Sequence, residues 1–444
     1  MPGNDGSQPI FQQGTIGGVL RYRAFALFVV LASLSIVQAY AFDITTQDGF
    51  RILADDGNLE VILGARAHLD VHAFNDDSAR PGQLPFGSQV PGSHPDGGFN
   101  FRRGYTDITV RFHDLSLKFQ NDFAAGTFPG SLREAWVGAR VGPGQLTIGQ
   151  FKPYRGMEEL ASSNEITLLE RPSTSSTGVY AGRQWLMGVG YKGLYAEKVG
   201  YAAHVMSMTH FGMPVAGSSI GGRLFWAPLS EEGNTLHLGF SYSMDHSEAD
   251  SLPAKVVDIY GGRRGVSFSL GTAGSAGSSG GGDQSTFGAE AAYALGPVTL
   301  QGEYVSSRLE HTHATGGMPR NSTVQAYYVQ ASWFATGERS IYSKERGAFG
   351  KPRPLRKWGA LEFAARYDRA ENLNQSLLAD PCRTGTSKCQ VQIITLGINW
   401  YVRKNWRFML NYYFTDAAIG HASMHAQNRN DTLSAVSFRT QLGF

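Results

Sequence analysis

The sequence has few cysteines, few charged residues and almost no excess of charge of either sign. Only 2 of its 444 residues are cysteine, too few for a four-cysteine zinc site. Charged residues make up 17% of the chain, which excludes a long coiled coil. Because 39 Lys and Arg face 37 Asp and Glu, no extended basic surface is available to hold a nucleic-acid backbone. A DNA or RNA partner is therefore not expected.

Long apolar runs are also scarce, and the clear one lies near the N-terminus. Arg21 and Arg23 precede the apolar residues 24–37, and Ala39-Tyr40-Ala41 follows. A positive segment, a short apolar segment and a small-x-small site are typical of a cleaved signal peptide. A membrane anchor is the weaker interpretation, since a spanning helix needs about 20 apolar residues. The sequence predicts an N-terminal extension and signal peptide over 1–41 and one mature domain over 42–444.

Export of the protein would place the two cysteines in an oxidising compartment, and it limits which fold classes the mature domain can adopt. Cys382 and Cys389 enclose a short polar stretch, and in an exported protein such a pair predicts a loop disulfide. The mature chain has no second apolar run long enough for a membrane helix. We therefore expect either a soluble protein or a β-barrel.

What the sequence has in abundance is a two-residue alternation of apolar and polar side chains. In residues 64–73, one parity is apolar and the other carries Arg66, His68, Asp70 and His72. The same alternation recurs in residues 235–245, 115–120, 134–141, 361–368 and 407–414. Alternation of this kind predicts β-strands with one apolar face.

Three features favour a membrane barrel over a soluble β-sandwich. Tight turns such as Leu295-Gly296-Pro297 alternate with long Gly- and Ser-rich loops such as 246–284. The last strand ends on Phe444, on the apolar parity, as outer-membrane proteins of bacteria do. Aromatic residues cluster where interfacial girdles of a barrel are expected; they are Trp226, Trp333, Trp358, Trp400, Trp406, Tyr412 and Tyr413.

The spacing of the alternating segments predicts an all-β, transmembrane antiparallel β-barrel of about 16 strands. Residues 151–178 lack the alternation, carry many charges and contain parts typical of a short helix. In a barrel, this stretch either folds into the lumen and narrows it or remains an exposed external loop. The residues alone favour neither alternative.

Several motifs, in order along the chain, resemble the outer-membrane phosphate- and polyphosphate-selective porin family, porins O and P. The motifs are Phe101-Arg102-Arg103, Gly149-Gln150-Phe151-Lys152-Pro153, Leu169-Glu170-Arg171, Phe225-Trp226-Ala227-Pro228-Leu229, Gly337-Glu338-Arg339 and Trp358-Gly359-Ala360-Leu361-Glu362. The resemblance implies a 16-stranded barrel, a homotrimer and a constriction loop that folds inward over residues 152–171.

The resemblance also implies which residues meet the permeating ion. Arg66, Arg102, Arg103 and Arg223 resemble the arginines that line the anion path in the family. Ser162 and Ser163 resemble hydroxyl residues of the narrow loop, and Lys152 and Arg155, which lie on the same stretch, are also expected at the constriction. The sequence departs from the phosphate-specific pattern at Glu159 and Asn164, where lysines are expected, and at Ser219, where an arginine is expected.

Strand parity predicts a nearly balanced lumen. Nine basic residues fall on the polar parity: Arg66, Arg103, Arg111, Lys118, Arg140, Arg223, Arg366, Arg407 and Arg439. Eight acidic residues share it: Asp70, Asp107, Asp122, Glu134, Glu290, Glu303, Glu362 and Asp368. Arg102 falls on the opposite parity from Arg103, so we expect it at a strand end or a bulge, because a lipid-facing arginine at the bilayer midplane costs about 2 to 4 kcal/mol.

These observations favour passive transport: a water-filled channel of the bacterial outer membrane for small hydrophilic solutes, with anions preferred and outer-membrane lipids around it. One alternative is a structural or adhesive barrel with a blocked lumen and ligand-binding external loops. Another is an exported soluble β-sandwich. The sequence predicts no cofactor, no metal and no enzyme: its G-x-S-x-G match at 277–281 lacks the strand-turn-helix context of a nucleophile.

Overall fold

The computed structural model describes residues 42–45, 50–54, 57–76, 97–176, 178–180, 183–208, 216–248, 252–256, 268–273, 282–312, 320–374, 390–419 and 429–444. The predicted signal peptide and Cys382 and Cys389 lie outside these residues.

Within the described ranges, sixteen antiparallel strands form one closed β-barrel. A short hairpin, β1 (Phe42–Thr45) and β2 (Phe50–Ala54), pairs with the beginning of the first barrel strand. The barrel strands are β3 (Leu59–Asp76), β4 (Gly98–Phe112), β5 (Leu115–Asp122), β6 (Leu132–Val141), β7 (Gly144–Phe151), β8 (Leu186–Tyr195), β9 (Val199–Ser207), β10 (Gly217–Glu231), β11 (Asn234–Ser247), β14 (Gly282–Leu295), β15 (Val298–Thr312), β16 (Arg320–Phe334), β19 (Ala360–Asn372), β20 (Gln390–Arg403), β21 (Trp406–Ile419) and β22 (Arg429–Gly443).

The last strand closes the barrel on the first. β22 pairs with β3 from Leu433 opposite Asp76 to Gly443 opposite Arg66, so neither β3 nor β22 is left as an open edge along this ladder. Closure satisfies the backbone donors and acceptors that a sheet edge would expose to lipid.

Shorter elements lie between the barrel strands. They are a one-turn helix, α1 (Met157–Leu160), and two hairpins, β12 (Leu252–Val256) with β13 (Phe268–Ala273) and β17 (Tyr342–Ser343) with β18 (Ala348–Phe349). Among the described residues, no helix is both long and apolar enough to cross a membrane.

The apolar parity of the strands faces outward. In β11, Leu238 and Phe240 are exposed while His237 and Ser241 are buried in the interior, and the same split follows the other strands. A sandwich would bury the apolar rows against each other, so the exposed rows exclude it and fit a wall in contact with lipid.

Tryptophans mark the end of the barrel with the short turns. Trp226, Trp333, Trp358, Trp400 and Trp406 are exposed close to that end, as an interfacial girdle requires. Tyr412 also faces outward, but the expectation for its neighbour was wrong. Tyr413 is completely buried inside the barrel, because adjacent strand residues point to opposite faces.

Two inserted segments occupy the interior. The inner loop (residues 152–176) enters from the end with the long loops, and the lower segment (residues 335–359) enters from the other end. Met157, Ala161 and Ile166 of the inner loop form one apolar cluster with Ala348 of the lower segment. The sequence predicted tight turns at the second end, and the long, inward-folded lower segment corrects that expectation.

Candidate functional site: a cationic passage beside the inner loop

The inner loop is fastened to one side of the barrel by arginines that hydrogen-bond its backbone. Arg407 donates to the carbonyl oxygen of Ile166 at 3.0 Å, Arg439 to that of Leu169 at 2.6 Å, and Arg366 to that of Glu170 at 3.0 Å. The three arginines lie on β21, β22 and β19, and their side chains are buried. They therefore position the loop, and the inward alternative left open by the residues is the one that the fold adopts.

Glu170 links the inner loop to β4 as well as to β22. Its carboxylate accepts from Arg102 Nε at 2.8 Å, Arg103 Nη2 at 3.1 Å and Arg439 Nη2 at 2.7 Å. Burial alone would raise the pKa of Glu170, but the three guanidinium groups hold it well below its ordinary value. The carboxylate is thus charged and compensates part of a dense positive cluster.

A β-bulge explains how consecutive arginines both reach this carboxylate. The register passes from His68 opposite Arg103 to Leu69 opposite Phe101, so Arg102 is the extra residue of β4. Both arginine side chains are buried in the interior. Of the two positions predicted from the parity of Arg102, a strand end or a bulge, the structure shows the bulge.

An open cavity of about 550 Å³ remains between the inner loop and the wall formed by β3 to β10. Ten basic residues line it: Arg66, Arg102, Arg103, Lys118, Arg133, Lys152, Arg171, Lys192, Arg223 and Arg346. Four acidic residues line it: Asp122, Glu134, Glu165 and Glu345. The passage wall is therefore strongly positive, unlike the balance that strand parity predicted for the lumen as a whole.

The reason for the difference is where the acidic residues lie. Asp70, Glu290, Glu303, Glu362 and Asp368 are buried in the interior but do not line the passage. Asp368 accepts from the backbone of Ser173 at 2.9 Å, and Glu303 from the backbone of Glu158 at 2.6 Å. These carboxylates anchor the inner loop and leave its other side to the cations.

Two predicted hydroxyl residues meet one predicted arginine at the rim of the inner loop. Arg66 Nη1 lies 3.0 Å from Ser163 Oγ and 3.5 Å from Ser162 Oγ, and its guanidinium stacks over the ring of Tyr105. Ser162 Oγ also accepts from the backbone N–H of Asn164 at 3.3 Å, and Arg66 is half-buried. This end of the passage thus presents a guanidinium beside hydroxyl groups, a donor set suited to an oxyanion.

Lys152 lies where the inner loop leaves β7, and it neutralises the acidic departure at Glu159. Its Nζ is 3.1 Å from Glu159 Oε1. Burial and the neighbouring Arg171 lower the pKa of Lys152 to about 8, although Glu159 opposes the shift. Burial acts to raise the pKa of Glu159, but Lys152 and Arg171 together lower it to about 2. Glu159 is buried and does not line the passage.

The structure places Arg155 away from the passage wall. Its side chain is almost completely buried, stacks on Tyr180 and pairs with Asp245 at 3.2 Å. Arg223, in contrast, lines the passage. It also holds the lower segment, because it donates to the carbonyl oxygens of Arg346 at 2.6 Å and Gly347 at 2.7 Å. Its guanidinium pairs with Glu290 at 2.6 Å.

Sequence reasoning missed four basic residues of the passage. Arg133 lies at the start of β6 and stacks over Trp185 at 4.5 Å, and Lys192 lies on the inward parity of β8. Arg171 belongs to the inner loop and Arg346 to the lower segment. Parity points to Lys192 only. Arg133 falls on the apolar parity of β6 and is the extra residue of a bulge opposite Gln120 and Asn121. Nothing in the local pattern places Arg346, because its segment enters the lumen by tertiary packing.

Comparison with known proteins agrees with the fold. A family model described as "Phosphate-selective porin O and P" matches residues 89–444. Porin O of Pseudomonas aeruginosa is 26% identical over 424 residues, which cover 86% of this chain and 91% of that protein.

Solved outer-membrane proteins have the same fold at much lower identity. The outer-membrane channel DcaP of Acinetobacter baumannii superimposes with a TM-score of 0.53 at 9% identity, covering 89% of this chain and all of that one. OmpT of Vibrio cholerae gives a TM-score of 0.52 at 12% identity, covering 90% of this chain and all of that one. With the family match over most of its length, the chain belongs to the phosphate-selective porin O and P family of outer-membrane channels.

Proposed function

We propose that the chain forms a water-filled channel that passes small hydrophilic solutes by passive diffusion and prefers anions, including phosphate-like oxyanions. The observation that carries the proposal is the passage beside the inner loop, with ten basic and four acidic residues in its wall. A narrow passage with walls of one sign concentrates ions of the other sign.

The strength of the attraction between a basic group of the wall and an anion depends on the effective dielectric constant around them. Two unit charges about 4 Å apart interact by about 1 kcal/mol in water and about 4 kcal/mol at an effective dielectric constant of about 20. Several basic groups in sequence spread this attraction along the path. Conduction needs such a series, because an ion must leave each site as readily as it enters.

Phosphate-like anions suit the chemistry of the wall. A guanidinium offers two parallel donors that match two oxygens of one anion, and Arg66 offers them next to Ser163. The departures at Glu159 and Asn164 do not put charge into the passage: Glu159 pairs with Lys152, and Asn164 Oδ1 accepts from His68 Nε2 at 2.8 Å. The description of the matching family, "Phosphate-selective porin O and P", also supports phosphate-like anions.

The proposal includes the setting of the channel: export by a signal peptide cleaved before Phe42, contact with outer-membrane lipids and assembly as a homotrimer. The outward apolar rows support lipid contact, and membership of the porin family supports the trimer. Native mass spectrometry of detergent-extracted protein tests both the mass of the mature chain and its stoichiometry.

The test of the function is chloride current through single channels in a planar bilayer, titrated with inorganic phosphate. We expect a steady chloride conductance that phosphate reduces in a saturable manner. A conductance that phosphate leaves unchanged would refute a phosphate-like preference.

The blocked-barrel alternative draws on the same inserted segments, since the inner loop and lower segment fill much of the interior. It predicts no conductance at all in this assay. The open cavity beside the inner loop, with ten basic residues in its wall, favours the channel.

A further inference from the structure

Where the passage runs between the inner loop and the lower segment, one ion pair joins them. Glu165 of the inner loop accepts from Arg346 Nη1 of the lower segment at 2.6 Å. Both residues line the passage, and the side chains retain 15% and 36% of their exposure. The pair is therefore in contact with the solvent through which a permeating ion moves.

The position of Arg346 does not depend on this pair. Arg223 holds the backbone carbonyls of Arg346 and Gly347, and Ala348 packs against the inner loop. If Glu165 were neutral, the guanidinium would remain near the same place with its fork free for another anion.

The charges around Glu165 are predominantly positive. Lys351 of the lower segment interacts electrostatically with Glu165 and with three cations, Arg66, Arg407 and Lys404. Burial and the three cations lower the pKa of Lys351 to about 8, while Glu165 opposes the shift. Of the other carboxylates in the passage wall, Asp122 pairs with Arg133 at 3.1 Å and Glu134 with Lys118 at 2.9 Å, both within the β-barrel wall. Glu345 accepts from Ser343 at 3.1 Å.

We propose that Glu165 is a tethered counter-anion: its carboxylate occupies Arg346, which would otherwise bind a permeating oxyanion, and it thereby sets how tightly this end of the passage holds the ion. The inference rests on the proposed anion-preferring function. It makes Glu165 a specificity-determining residue, because exchange between a fixed carboxylate and a passing oxyanion keeps the site shallow enough to release the ion.

The geometry allows such an exchange. A guanidinium fork that now binds a carboxylate presents the same two parallel donors to phosphate. The pair is part-buried but in contact with the solvent of the passage, so a mobile anion can reach the guanidinium and compete with the fixed carboxylate.

The test is phosphate block of chloride current for Glu165→Gln, which keeps the shape of the side chain and removes its charge. We expect the half-blocking phosphate concentration to fall by up to about fivefold, the upper end of the range for an ion pair in contact with solvent. Glu345→Gln is the matched control, because it changes the charge of the passage by the same amount without releasing Arg346. Its half-blocking concentration should move less.

Arg346→Gln supplies the reciprocal measurement. Combined with Glu165→Gln, it should restore the half-blocking concentration toward the wild-type value, because the released donor is gone. The single variant Arg346→Gln should weaken phosphate block, since it leaves the charge of Glu165 unopposed in the passage. This measurement does not depend on whether Glu165→Gln folds.

Equal phosphate block in wild type, Glu165→Gln and Arg346→Gln would overturn the proposal while leaving an anion-preferring channel intact. Equal shifts in Glu165→Gln and Glu345→Gln would also overturn it, because a general field effect would then suffice. A wild-type channel that phosphate does not block would instead refute the function on which the inference depends.

Discussion

Neutralising Glu170 should release the inner loop from the barrel wall and widen the passage. Its carboxylate is almost completely buried and contacts three guanidinium groups, those of Arg102, Arg103 and Arg439, at 2.7 to 3.1 Å. In Glu170→Gln, Arg439 keeps a second partner, Asp70, at 2.7 Å. Arg102 and Arg103 lose the carboxylate that compensates their charge.

The magnitude follows from the burial of these groups. Removing one member of a buried ion pair costs about 3 to 5 kcal/mol, because the remaining charge is left uncompensated. The lower value alone changes the equilibrium between docked and released loop by more than about a hundredfold. The backbone bonds from Arg366 and Arg407 remain, so we expect a loop that is released part of the time.

Single-channel recording and limited proteolysis measure this effect. Glu170→Gln should have a larger and noisier conductance than wild type, and its inner loop should be cleaved faster. Glu310→Gln is the matched control, because Glu310 belongs to an exposed pair with Arg308 at 3.2 Å, a type that contributes about 1 kcal/mol or less. Wild-type conductance and wild-type cleavage in Glu170→Gln would refute the role assigned to the carboxylate.

Two further predictions concern the positive charge of the passage. Raising the pH from 7 to 9 should reduce anion preference. The pKa of Lys152 and that of Lys351 are each lowered to about 8, and a lysine loses its charge as the pH rises above its pKa. Zero-current potentials at the two pH values measure this change, and equal potentials would contradict it. Arg103→Ala should reduce anion preference and change the chloride and phosphate conductances. Arg140→Ala is the control and should leave them unchanged, because the side chain of Arg140 is 77% exposed and pairs with Asp114 at the short-turn end. Equal currents and ion preference in Arg103→Ala and wild type would show that Arg103 does not lie on the path.

The barrel could be predicted from the sequence because alternation acts at every strand. A wall with lipid outside and water inside requires the two-residue period throughout, and residues 235–245 display it in β11 as residues 64–73 do in β3. The exception was also informative: the opposite parities of Arg102 and Arg103 predicted a strand end or a bulge, and β4 has a bulge there.

The charge of the passage could not be predicted in the same way. Parity assigns a residue to the interior, but it does not say whether the side chain meets water or a second segment of chain. Arg366 and Arg439 are both inward, yet each binds the inner loop. Asp368 is inward too, and it caps the backbone of Ser173.

The lower segment was missed for a related reason. Residues 335–359 lack alternation, so the pattern indicates only a connection and not its direction. Their inward course depends on distant partners, such as Arg223 at the carbonyl of Arg346 and Tyr342 at His237 over 2.6 Å. Such partners are separated by 105 to 123 residues, and no local signal joins them.

The zero-current potential of the wild-type protein in a potassium chloride gradient tests the central claim most directly. A passage lined by ten basic and four acidic residues should pass chloride in preference to potassium, and the potential should therefore take the sign set by the chloride gradient. A potential of the opposite sign would mean that cations carry the current, and the account of the passage would be wrong.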